Sequence, residues 1–508
     1  MTMKLRLVAL GGLGALMGLL GCLGPNPLID AGEHGSESAT SDNAGDGESG
    51  DGDPGDGDPG DGDPGDGDPD PGHCDNGMLD GNETDLDCGG SCSACEQGSA
   101  CEIGDDCQSL VCDADECAAP SCIDDVENGD ELEVDCGGSC RFCAHSPYVA
   151  QLDDFPGAHV GYPDVAMFED GVFAVTYSSY ATSEIRVRWF DEFAVPLGGG
   201  VTTGGEFMLS DVRALIASED LDTHNLYAVL TGLDAMSSSR DAFSIRLGPD
   251  TPASSWPIYF GPAAVNTANG VLDGDIATFV WLQDGQVFLR RYNYALDIPV
   301  AVASLANPDF AQRPAGWPVI ALRNGVSVVA WVACDAMDPN SCDIELRSSD
   351  FGWIEDAPVQ VSLPPEKRSG LKLAIAEDDR VGLIWTGGAS NDRKIWAAQL
   401  NPELAPDGAP WLLQDSIPSI GYPNGDVAAL EDGTFAFAWP DSVDKRVHIR
   451  RFSGPELPLV TDVGDEAPWP ASELATQVHM SASGNLLTVV WLGGVNNLVR
   501  LQGQVLSY

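Results

Sequence analysis

A fourteen-residue pattern recurs along this chain, and its spacing constrains the fold more tightly than any other feature. Its clearest copy is Asp426–Trp439 (DVAALEDGTFAFAW), two short apolar runs joined by an acidic-Gly turn. Tyr162–Tyr177 (YPDVAMFEDGVFAVTY) is nearly identical in outline, and Val319–Trp331, Leu371–Trp385 and Val478–Trp491 share it. Val271–Trp281 and Val212–Thr231 are weaker copies. The residue closing the second run falls at Tyr177, Thr231, Trp281, Trp331, Trp385, Trp439 and Trp491, in steps of 54, 50, 50, 54, 54 and 52. A unit of that length cannot bury its apolar face alone, so successive units must stack, and so even a period over seven units predicts a closed repeat architecture.

Each unit continues into a third run, such as Ile185–Phe190, Val287–Tyr292, Ile395–Leu400 and Val447–Phe452. Most continue into a fourth, such as Ala194–Leu197, Pro299–Ala303, Pro358–Ser362 and Leu457–Val460. Asn324-Gly325 and Asp284-Gly285 are hairpin-turn dipeptides. The second run is apolar on both faces, as expected of a strand sandwiched between neighbours. Four short strands per unit resemble β-propeller blades. The fold class read from residues 144–508 is therefore all-β, a seven-bladed β-propeller. The last unit ends at Tyr508 without a fourth strand, and Tyr148–Leu152 is a spare strand ahead of the first unit. Closure is expected by pairing this N-terminal strand into the last blade, which leaves no open edge. Cys334 and Cys342 flank the connection between strands two and three of the fourth unit and are expected to pair.

The rest of the chain is organised quite differently. Residues 24–143 hold 34 acidic residues against one Arg, out of a net charge of −56 for 508 residues. So acidic a chain is unsuited to nucleic-acid phosphates or to an anionic membrane surface. Residues 1–21 read as a signal peptide, with Lys4 and Arg6 ahead of an apolar run too short to span a bilayer comfortably. The run ends Leu19-Leu20-Gly21-Cys22, which resembles the lipobox of bacterial lipoproteins. That resemblance implies a lipidated Cys22 and, with Leu23 next in the chain, an outer-membrane lipoprotein of a Gram-negative bacterium, facing the periplasm or the cell surface. Residues 22–73 carry that cysteine and a Gly/Asp/Pro acidic stalk with little to bury, expected to be disordered.

Twelve cysteines fall within residues 74–143. Cys74, Cys88, Cys92 and Cys95 repeat at the same spacing as Cys122, Cys136, Cys140 and Cys143, with Cys101, Cys107, Cys112 and Cys117 as a four-cysteine insert between them. Such density reads as a disulfide scaffold in an oxidising compartment, and each unit of four allows three pairings. Glu83, Asp85 and Asp87, and likewise Glu131, Glu133 and Asp135, alternate with other residues. If extended, each trio puts three carboxylates on one face, either a calcium site or a solvated edge. The block resembles ETDxDCGG cysteine repeats of secreted and surface lipoproteins of Gram-negative bacteria, which implies location and architecture only.

No GxSxG, HExxH, P-loop or dinucleotide fingerprint occurs. His159, His224, His448 and His479 lie in the repeats at unrelated positions. Ser348–Trp353 (SSDFGW) resembles the Asp-box of sialidase-type propellers, which is structural in that family, and Asp191, Asn293, Asp350 and Asn401 suit Asx turns at similar places. An aromatic–Pro step precedes strand one in several units, at Tyr162, Trp317, Tyr422 and Trp469. These rings either line a binding rim or wedge between blades. The sequence reads as a monomeric, membrane-anchored binding protein for a protein or glycan, with no catalytic residues and no cofactor beyond calcium. The alternative is a polysaccharide-acting hydrolase or lyase, sialidase- or glycosidase-like, with acid/base groups at the channel mouth.

Overall fold

The computed structural model describes residues 73–508, apart from single positions, short turns and longer stretches at 150–159, 218–223, 235–239, 248–257, 263–267, 351–358, 418–423, 453–458 and 464–475. The expected signal peptide, Cys22 and nearly all of the stalk lie outside the described residues. Among the described residues no helix is long and apolar enough to cross a membrane, and helix is confined to one short turn, Gly104–Asp106.

The repeats fold into antiparallel sheets whose strands keep chain order. Among the described residues six are regular four-stranded blades, so the expectation of seven such blades is corrected to six. The third repeat builds a five-stranded sheet instead. Its outer position is divided between Ile298–Pro299, paired with Tyr292 and Asn293, and Ser304–Leu305, paired with Phe288 and Leu289. Pro299 has no N–H to donate, so a continuous outer strand is interrupted there. In the first repeat the outer strand is Val201–Thr203, not Ala194–Leu197, whose residues form a turn anchored on Asp191.

The first strands of successive repeats neighbour one another in a closed ring, the last meeting the first. Between each adjacent pair of repeats lies one apolar cluster. Val280, Val287 and Leu289 of the third repeat, for example, pack on Ile320, Val329 and Trp331 of the fourth. Second strands are buried on both faces, and Phe435–Asp441 is buried throughout. The closing aromatics Tyr177, Trp331, Trp385 and Trp439 are among the largest fully buried side chains, which explains the even spacing of bulky residues.

Closure occurs as the sequence predicts, with an earlier start. Cys143–Val149 pairs antiparallel with Leu498–Ser507 and completes the last blade. Tyr148 packs on Phe173 and Phe190 of the first repeat, with ring centroids at 5.2 and 4.9 Å. Its hydroxyl meets Thr488 Oγ1 at 2.8 Å. Only glycine fits opposite, since a Cβ on Gly503 would lie 2.3 Å from the Tyr148 ring.

The cysteine module runs directly into that closing strand through Cys143. Phe142 joins the apolar cluster of the last two repeats and meets Tyr508 edge-on at 6.0 Å. Each four-cysteine unit pairs first with third and second with fourth: Cys74–Cys92 and Cys88–Cys95, Cys101–Cys112 and Cys107–Cys117, Cys122–Cys140 and Cys136–Cys143. Cys334–Cys342 is the expected seventh bridge. So many disulfides belong to a protein of an oxidising, extracellular or periplasmic compartment.

Candidate functional site

Two of the aromatic–Pro steps fall inside first strands, not before them. Tyr162 lies within Val160–Met167 and Trp317 within Ala315–Arg323, each at a bulge where pairing skips from Gly161 to Asp164 or from Gly316 to Val319. Proline cannot donate to the ladder, so the skip is where an aromatic–Pro pair fits. The bulge recurs in the fifth and seventh repeats. Trp317, Gly370 and Gln477 share its left-handed backbone, with φ of 55°, 62° and 53°. Trp317 is half-buried and packs against the cluster between the fourth and fifth repeats. Tyr422 and Trp469 lie outside the described residues, as does the side chain of Tyr162.

In the first, fourth, fifth and seventh repeats the bulge resets the pairing phase of the first strand. Asp164, Asn269, Val319, Lys372, Asp426 and His479 each pair with the residue just before the closing aromatic of their own repeat. They are therefore equivalent positions on the innermost strands. Four of them, from the consecutive repeats five, six, seven and one, carry charged or titratable groups that meet on the inner wall of the ring.

His479 Nδ1 lies 3.3 Å from Asp164 Oδ1 and 3.7 Å from Asp426 Oδ2. The carboxylates are also used by backbone amides. Val165 N–H donates to Asp164 Oδ1 at 3.0 Å, Val427 N–H to Asp426 Oδ1 at 2.9 Å, and Met480 N–H to Asp426 Oδ2 at 3.0 Å. The last of these ties the sixth repeat to the seventh. Burial works against ionisation of Asp164, but His479, the Lys372 ammonium and the Val165 amide outweigh it and hold its carboxyl below the usual range. Burial likewise disfavours the Lys372 ammonium, yet Asp426 and Asp164 together raise its pKa above the ordinary lysine value.

This cluster was absent from the sequence reading, although its signal was present. Asp164 and Asp426 hold the same place in the two most similar copies, and Lys372 and His479 stand between apolar neighbours at the matching position. Aligning all first strands on their closing aromatics would have found them. The two carboxylates and the imidazole do not gather into a metal-ligand set among the described residues.

The acidic trios of the cysteine module form turns, not an extended face. Asp87 and Asp135 take left-handed backbone, φ 57° and 56°. Asp87 accepts the Asn76 and Gly77 amides, both at 2.8 Å, and Asp135 accepts those of Asp124 and Asp125 at 2.9 and 3.1 Å. Asp85 accepts the Ala100 amide at 2.8 Å, Glu83 that of Asp80 at 3.1 Å, and Glu131 that of Asn128 at 3.2 Å. Glu133 is exposed and forms an isolated bridge with Cys136. Neither trio comes together as a ligand set among the described residues. At three of the four expected turns the side chain caps the backbone, with Asp191, Asn293 and Asn401 accepting amides two to four residues on, while the side chain of Asp350 lies outside the described residues. Arg188, in Glu184–Phe190, and Arg450, in Arg446–Phe452, lie over the rings of Phe190 and Trp439, each at 5.3 Å.

No protein-family model and no curated protein matches the chain. Among solved structures it is similar to a protein of unknown function from Dyadobacter fermentans, at 12% identity and TM-score 0.45, covering 72% of this chain and 99% of that one. It is also similar to an α-L-arabinanase from Penicillium chrysogenum, at 10% identity and TM-score 0.42, covering 72% and 98%. A neuraminidase-like protein from A/bat/Guatemala gives 12% identity and TM-score 0.39, covering 60% and 90%.

Proposed function

We propose that this protein is a lipid-anchored outer-membrane protein whose propeller binds a protein or glycan ligand without altering it covalently. The observation that carries this reading is the state of the charged groups on the inner wall. Asp164 and Asp426 face Lys372 and His479, and the two carboxylates also accept strand amides, so the group holds four repeats together instead of presenting a free acid and base. Binding then falls to the rim where first strands begin and second-to-third connections emerge. Antiparallel pairing of Ala315 with Ala333 sets these two features at the same end of the fourth repeat. The acidic stalk of residues 22–73 serves as a spacer from the membrane.

The test is to incubate the full chain with purified envelope polysaccharide and, separately, with envelope proteins. Saturable binding that leaves the ligand intact is expected. Shortened polysaccharide products would establish the hydrolase or lyase reading instead, and binding to neither preparation would end the binding reading. The anchor is tested separately: Cys22→Ser is expected to move the protein from the membrane to the soluble fraction, and unchanged partitioning would remove the lipobox from consideration.

A further inference from the structure

The connection between the second and third strands of the fourth repeat is unlike its counterparts. Seven residues, 335–341, separate Val326–Cys334 from Cys342–Asp350, whereas two to five separate the corresponding strands of every other repeat. Its two ends are joined by the Cys334–Cys342 disulfide, across residues that are already paired in the sheet. The loop is fixed internally as well. Asp335 Oδ1 accepts the Met337 and Asp338 amides at 2.7 and 3.3 Å, Asp335 N–H donates to Ser341 O at 2.8 Å, and Asp338 Oδ1 accepts the Asn340 amide at 3.1 Å. Ala336 N–H donates to Gln312 O at 2.9 Å and fastens the loop to the preceding connection.

What this rigid loop displays is a methionine. Met337 is 94% exposed, the most exposed large apolar side chain among the described residues. The Met337 amide is itself bonded to Asp335 Oδ1, so the backbone that carries this side chain is fixed. The only charged residues of the loop are Asp335 and Asp338. The nearby cation at its base, Arg313, is committed to Asp343 at 2.7 Å, Glu345 at 3.0 Å and Ala333 O at 3.1 Å. The loop therefore offers an apolar knob within a negative collar.

We propose that this loop docks into a partner protein through an apolar pocket that takes Met337 and is rimmed by Lys or Arg facing Asp335 and Asp338. A preordered loop loses little conformational entropy on binding, and an unbranched thioether adapts to pockets of irregular shape. An anionic lipid surface is disfavoured by the two aspartates, and a second copy by the charge of −56 that each chain carries. The inference rests on the proposed binding function and narrows its ligand to a protein.

The experiment places a diazirine-bearing methionine analogue at position 337 of the full chain in its own cells, with the same analogue at the exposed Leu296 as control. Irradiation is expected to give one discrete protein adduct from position 337 and none from 296, with a basic-rimmed apolar pocket in the captured partner. Combined Asp335→Asn and Asp338→Asn, which keep the amide-accepting oxygens but remove the charge, are expected to cut adduct yield at least fivefold. Met337→Ser is expected to weaken binding to the purified partner at least tenfold while leaving thermal unfolding unchanged. No adduct above the Leu296 control, an adduct with lipid, glycan or a second copy, or a yield indifferent to the two Asn substitutions would overturn the proposal. Saturable binding in the envelope screen combined with a silent position 337 would reject this loop and leave the binding function standing.

Discussion

Tyr148→Ala is expected to destabilise the propeller by ~3–5 kcal/mol, the usual range for truncating a buried aromatic side chain. The ring of blades has one seam, where the last repeat meets the first, and Tyr148 packs into it from the N-terminal strand. It contacts Phe173 and Phe190 of the first repeat and reaches Thr488 of the last. Loss of the side chain leaves a cavity against Gly503 that no backbone shift can readily fill, because the strands on both sides are hydrogen-bonded. Tyr148→Phe is expected to cost only about 1 kcal/mol, since it removes one hydrogen bond and keeps the ring. Deleting residues 143–149 goes further. It exposes the edge of Leu498–Ser507 and should abolish a single cooperative transition. Thermal unfolding should rank Tyr148→Phe as the mildest of the three variants and the deletion as the most severe; a Tyr148→Ala protein that melts with the wild type would show that the seam is held elsewhere.

The parts of this fold legible in the sequence were those with strong periodic signals. The closing aromatics are buried because each plugs the space between two repeats, so selection for packing repeats a bulky residue every 50 to 54 positions. The spare N-terminal strand was legible because an even ring needs every blade completed. The irregular third repeat was not, because one Pro299 interrupts an outer strand without disturbing the apolar pattern farther in. Disulfide pairing was open in the sequence, since four cysteines allow three arrangements and spacing alone does not choose among them. The inner-wall cluster was missed for another reason. Its members stand about fifty residues apart, and each taken singly resembles an ordinary polar interruption of a strand. Only the shared pairing position, reached in the strands of Asp164, Lys372 and His479 through bulges invisible to simple alternation, brings Asp164, Lys372, Asp426 and His479 to one place.

That cluster makes the second large prediction. Lys372→Met is expected to destabilise the domain by up to about 3 kcal/mol, because removing one partner leaves the others buried and uncompensated. Asp164→Asn in the same background should restore part of the loss, with a coupling of about 1–2 kcal/mol between the two sites. The directions of the two shifts set the pH dependence. The folded-state pKa of Asp164 is depressed, so its contribution is present above the unfolded value of about 4 and is lost as pH falls through the lower folded value. Lys372 is shifted upward, so its contribution is complete below about pH 10.4 and is lost as pH rises through the higher folded value. Stability from the pair should therefore form a plateau between about pH 4 and 10, falling on both sides. In Lys372→Met the alkaline fall contributed by the lysine disappears. The acid fall moves to higher pH, because Asp164 loses a cation that held its proton affinity down. Denaturant unfolding of wild type and variant across that range reads both limbs. An acid limb that stays in place in Lys372→Met would mean that the ammonium and the two carboxylates do not share one electrostatic environment, and the inner wall would then not be what holds repeats five, six, seven and one together.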